Sequence, residues 1–152
     1  MYSNVNIYTV TSYKSPRQTS GAVGYLIEVL TEKGPATCLK YEDIEETTIN
    51  GAELLAIVSA LRRLTPAATE ISIYTDSAYV ANAIGNGWVD KWKQNGWKNE
   101  KGKAIGHQEL WEEMLDLLVG RRFSFHVKEH HSYTNCMRFE IEQRKEGRTQ
   151  YV

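Results

Sequence analysis

Three acids in this 152-residue chain, Glu53, Asp76 and Glu140, stand where core elements are expected to begin or end, and His130 follows an apolar run. Carboxylates drawn from separate elements can hold a hard cation or move a proton, provided the fold brings them together. Each also has a plainer explanation. Asp76 follows Ile71-Ser72-Ile73-Tyr74 and precedes a helical stretch, as an N-cap would. Asn50 and Glu53 have the spacing of a capping box. Glu140 can be a solvated residue on an outer helix face. A second group is basic and aromatic. Between Trp88 and His107 five lysines (Lys91, Lys93, Lys98, Lys101 and Lys103) meet only Asp90 and Glu100. That local +3 leaves −4 on the rest of a chain whose net charge is −1, so a polyanion would be gripped there if anywhere.

The elements that must position these residues follow from periodicity. Val5 to Val10 alternates in the manner of a strand, and Gly21 to Leu30 is rich in β-branched and aromatic residues. Glu32-Lys33-Gly34-Pro35 reads as a turn, and Thr37 to Tyr41 as a third strand closing an antiparallel meander. The period then changes. From Asn50 to Leu64 the residues Leu54, Ile57, Val58 and Leu61 share one helical stripe. Ile71 to Tyr74 is a short buried strand, Ser77 to Ile84 a helix, Glu109 to Val119 another helix, Phe123 to Val127 a last strand, and Asn135 to Lys145 a final helix. This order gives an α/β fold with a mixed five-stranded sheet, three strands antiparallel and two parallel, covered by helices on both faces.

Composition sets the frame. Apolar residues make up 41% and charged residues 24%, as in an ordinary globular protein, and the length suits one domain over 1–152. No basic segment followed by an apolar run opens the chain, and no stretch has the length of a membrane span, so neither a signal peptide nor a membrane partner is expected. Cys38 and Cys136 lack metal-type spacing and read as reduced thiols, which places the chain in a cytoplasm.

The order of the short motifs adds a resemblance. Thr48-Ile49-Asn50-Gly51-Ala52-Glu53-Leu54, Ile73-Tyr74-Thr75-Asp76-Ser77 and Val127-Lys128-Glu129-His130 resemble successive motifs of the ribonuclease H family. Between them, Trp88-Val89-Asp90-Lys91-Trp92-Lys93-Gln94-Asn95-Gly96-Trp97-Lys98 resembles the family's basic protrusion, which holds the DNA strand of a hybrid. The resemblance implies a ribonuclease H-like fold and cleavage of the RNA strand of RNA–DNA hybrids. In the family four carboxylates hold two magnesium ions, roughly 4 Å apart, one generating hydroxide and the other stabilising the leaving oxygen. Residue by residue it implies that Glu53 and Asp76 are the second and third carboxylates and His130 the loop histidine. It makes Thr48 and Asn50 contacts to the nucleic-acid backbone, and Lys91, Lys93 and Lys98 phosphate contacts. Trp88 would face a DNA sugar, while Trp92, Trp97 and Trp111 pack.

Departures from the family pattern are as informative. Val10 occupies the place of the first aspartate, and no acid precedes Glu28. Valine cannot ligate magnesium. On the last helix, counting from His130 puts Glu140 at the fourth acid and counting from Asn135 puts Phe139 there; Glu140 is the expected ligand, with Glu142 the alternative. The loop Tyr13 to Ser20 lacks the glycines that bring a backbone close to the RNA minor groove. The expected protein is therefore a monomeric hybrid binder with magnesium or manganese held weakly at one site and hydrolysis weakened or lost. Two alternatives stand beside it: an active endoribonuclease with a non-standard metal site, and a structural or protein-interaction module that keeps only the fold.

Overall fold

In the computed structural model, which describes residues 3–14 and 19–145, strands β1 (Asn4–Thr11), β2 (Thr19–Thr31) and β3 (Gly34–Thr47) form the expected meander. Most of the glycine-poor loop between β1 and β2 lies outside the described residues. After α1 (Ile49–Leu61) the chain returns as β4 (Glu70–Thr75), and β5 (Arg122–Val127) follows α2 (Ala78–Gly85), α3 (Trp88–Gln94) and α4 (Gln108–Leu118). The sheet order is β3-β2-β1-β4-β5, with β1, β4 and β5 mutually parallel and the first three strands antiparallel. Helix α5 (Thr134–Lys145) ends the described chain.

Alternation along the strands sorts side chains onto two faces. Val5 and Ile7 of β1, Tyr25 and Ile27 of β2, and Ile71 and Ile73 of β4 pack with Leu54, Ile57, Val58 and Leu61 of α1 and Trp111, Met114 and Leu118 of α4. On the opposite face Tyr8, Val10, Ala22 and Leu26 meet Met137 and Ile141 of α5. Helices thus cover both faces, as the sequence predicts.

Two boundaries differ. The third strand runs from Gly34 to Thr47, not Thr37 to Tyr41, because the edge strand pairs through its backbone well past the last apolar residues. Its acidic end, Glu42, Asp43, Glu45 and Glu46, faces solvent and has no strand-like apolar signal. Helix α1 stops at Leu61 rather than Leu64.

The caps settle the plainer readings of two acids. Thr48 caps α1, its hydroxyl accepting the Gly51 N–H at 3.1 Å, so Asn50 and Glu53 make no capping box. Ser77, not Asp76, caps α2 by accepting from the Val80 N–H at 3.1 Å. Neither acid is spent on a helix end.

Candidate active site

Glu53 lies on the inner side of α1, 3% exposed, where an ionised carboxylate is costly unless it is well hydrogen-bonded. Thr75, the last residue of β4, donates its hydroxyl to Glu53 Oε2 at 2.8 Å, and Thr9 of β1 approaches the same oxygen at 3.4 Å. Burial nevertheless dominates, and with the charge of Asp76 nearby it pushes the Glu53 pKa up to about 7.

Asp76 follows directly on β4 and is half exposed, opening into a cleft of about 550 Å3. Val10, Asn50, Glu53, Asp76, Arg138 and Glu142 all line this cleft, so strand ends, α1 and the last helix converge as the sequence predicts. Val10 is buried at 5%, packed as an apolar core residue against the α5 face.

On the last helix the two candidates for the fourth acid fall in different places. Glu140 is turned toward Tyr41, whose hydroxyl its charge helps to hold up to about 12 after burial, and does not line the cleft. The position of α5 that faces Asp76 carries Arg138, whose Nη2 lies 3.8 Å from Asp76 Oδ1. Glu142, one turn further, does line the cleft, but it pairs with Lys14 at 2.9 Å. The physical reason is the 100° step of the helix. Met137 and Ile141 are the buried anchors of α5, which sets Arg138 and Glu142 beside the cleft and rotates Glu140 away.

His130 is exposed on the loop after β5. Its neighbour His131 is the histidine that lines a narrow crevice beside Asp76 and Arg138, and burial lowers its pKa. This loop is held from below by Glu28, a buried acid on β2. Tyr133 donates to Glu28 Oε2 at 2.5 Å, and Tyr8 and Asn6 donate to Oε1 at 3.0 and 2.9 Å.

The basic segment forms a separate groove. Trp88, Trp92, Lys91 and Lys98 line it together with Tyr79 and Lys101. Lys91, Lys93 and Lys98 are exposed. Trp111 is buried, Trp92 packs edge-on against it at 5.5 Å, and Trp88 and Trp97 are partly buried against the same core. Thr48 stands near α1's start with its hydroxyl 3.3 Å from His107 Nε2. His107 precedes α4, holds a left-handed φ of 64° and covers Gly51 so closely that a Cβ there would meet its ring at 2.5 Å. Sequence reasoning missed His107 and Arg138, and it read His131 as structural or exposed; Lys14 stood out only as a cation in an acid-free opening segment.

These donors can be tested against the two-ion arrangement that the motifs imply. Among the described residues no group of three or more His, Cys, Asp or Glu side chains could hold a metal ion. One acid of the cleft is buried with its pKa raised, one faces an arginine, one is paired to a lysine, and the strand position beside them is valine. The residues present do not fit two divalent ions.

Similarity to known proteins agrees with this architecture. The RNase H family model matches residues 2–138. A ribonuclease H of Syntrophomonas wolfei is 39% identical over 87 residues, 57% of this chain and 60% of that protein. One of Caldicellulosiruptor saccharolyticus is 36% identical over 104 residues, 68% of this chain and 70% of that protein. This chain thus spans about 60% of the length of the first of these relatives. Among solved structures, LC9-RNase H1, described as a type 1 RNase H with the type 2 active-site motif, superposes with a TM-score of 0.73 at 22% identity. The match covers 99% of this chain and 75% of that one.

Proposed function

This chain belongs to the ribonuclease H family, and we propose that it is a member that binds RNA–DNA hybrid while hydrolysing it weakly or not at all in magnesium. The observation that carries this reading is Arg138 facing Asp76 across the cleft that Val10 lines. Members of the family use divalent metal ions, and an ion supplies the nucleophilic hydroxide and neutralises the leaving oxygen. The donor set of this cleft does not fit that pair of ions, so no step runs through them. Among the described residues, Asp76 with Glu53 is where magnesium or manganese would bind, weakly, since burial disfavours the ionised Glu53 and Arg138 competes for Asp76.

What remains supports binding. Exposed Lys91 and Lys98 border a groove lined by Trp88 and Trp92, with exposed Lys93 on the same short helix, a combination suited to phosphate contact beside a flat sugar or base surface. Asn50 stands on the cleft wall, and Thr48 caps the same helix two residues before it. Asp76, Glu53 and the loop with His130 keep the outline of a catalytic centre whose charges have been rearranged. Incubating a labelled hybrid with the protein in magnesium tests both halves at once. The expected result is a saturable complex in which the RNA strand stays intact; absence of any complex at low salt would overturn the reading.

A further inference from the structure

Arg138 and Lys14 enter the cleft from two sides, α5 and the segment after β1, and each pairs with a carboxylate on its rim. The two pairings differ in kind. Lys14 Nζ lies 2.9 Å from Glu142, a close ion pair. Arg138 Nη2 lies 3.8 Å from Asp76, longer than a hydrogen bond, and its side chain is 58% exposed. Among the described residues its guanidinium has no hydrogen-bond acceptor, so its donors are uncommitted. A guanidinium carries five N–H groups in a planar fork, enough to face a carboxylate with one edge and a phosphate with the other. A cation that joins a protein carboxylate to a phosphate oxygen does electrostatically what a divalent ion does in such a cleft, without the hydroxide that an ion can generate.

We propose that Arg138 is a resident cation at Asp76 and that it binds a backbone phosphodiester of the nucleic acid in the cleft without any divalent metal. The proposal rests on the hybrid-binding reading and deepens it. The site takes a phosphodiester and not a free metal: Arg138 repels a cation from Asp76, and Asp76 in turn keeps the guanidinium aimed across the cleft. Lys14, already neutralised at close range by Glu142, adds little.

The test is hybrid affinity, measured by fluorescence anisotropy in EDTA and in magnesium, for the unchanged chain, Arg138→Gln and Arg138→Lys. The chain as it stands is expected to bind equally well in both buffers. Arg138→Gln should weaken binding in EDTA about tenfold and flatten the log–log salt dependence by about 0.9, as when one phosphate is no longer neutralised. Arg138→Lys should keep the salt slope while losing part of the affinity. In parallel, magnesium titrated calorimetrically into protein without nucleic acid should bind Arg138→Gln more tightly than the unchanged chain. Hybrid binding that needs magnesium, or an Arg138→Gln protein with unchanged affinity and slope in EDTA, would overturn the proposal while leaving hybrid binding intact. Failure of the unchanged chain to bind hybrid in either buffer would overturn the underlying reading as well. Thermal melting of each variant separates weakened binding from a damaged fold.

Discussion

A carboxylate sealed at 3% exposure with hydroxyls as its hydrogen-bond partners makes Glu53 a titrating group within the core. Its folded-state pKa, about 7, lies above the ordinary 4.5 that it regains on unfolding. The stability linked to it is therefore fully present below pH 4.5 and is lost as pH rises through 4.5 to 7. Glu53→Gln keeps an acceptor for Thr75 and removes the titration. In urea unfolding with EDTA, the variant should gain on the unchanged protein by about 3 kcal/mol between about pH 4 and about pH 8. Parallel stability profiles would show that Glu53 ionises freely. At this same scale Val10 was legible as an inward-facing strand residue, because strand alternation decides that; its standing in place of an acid is what the family resemblance implies. Arg138 was not. Which of four neighbouring residues on α5 faces the cleft depends on the rotation set by Met137 and Ile141, and counting from either His130 or Asn135 does not supply it.

The elements were legible where apolar periodicity is strong. The stripe of α1 and the buried runs of β1 and β4 each announce themselves, and the sheet order follows from the chain's connections. The sequence hid β3's acidic half, whose pairing is carried by backbone hydrogen bonds, and the polar scaffold that anchors the loop before α5. That scaffold is Glu28. Burial alone would raise its pKa, but donors from Asn6, Tyr133 and Tyr8 outweigh burial and hold it below the usual range. Because its folded pKa is depressed, its contribution is present above the unfolded value and lost as pH falls. Glu28→Ala leaves Tyr8 and Tyr133 hydroxyls without their acceptor and should cost on the order of 2–4 kcal/mol in chemical unfolding. Faster amide exchange should follow in the loop from His130 to Tyr133 and in the first turn of α5. A change below about 0.5 kcal/mol, the size of an ordinary surface substitution, would remove Glu28 from any role in placing α5.

Across the whole molecule, charge is arranged in two compartments. The lysine groove between α3 and the hairpin-like loop after it sets Lys91, Lys98 and Lys101 against one lining acid, Glu100, whereas the cleft between α1, β4 and α5 pairs its cations with carboxylates. Replacing Lys91, Lys93 and Lys98 together with Ala should weaken hybrid binding and reduce the log–log salt slope by about 0.9 for each phosphate that is no longer neutralised. Unchanged low-salt affinity in a filter-binding titration would make these lysines a solvated helix face. The cleft is where the family's chemistry would occur and where this chain places a valine and an arginine. Cleavage of a labelled RNA–DNA hybrid in magnesium by the unchanged chain, beside Val10→Asp, Arg138→Asp and the double variant, decides whether those two residues silence it. The RNA strand should stay intact with the unchanged chain. Cleavage should appear in the double variant at about three orders of magnitude over background, several kcal/mol of transition-state stabilisation restored with the ligands. Robust magnesium-dependent cleavage by the unchanged chain, abolished by Asp76→Asn, would contradict a silenced site.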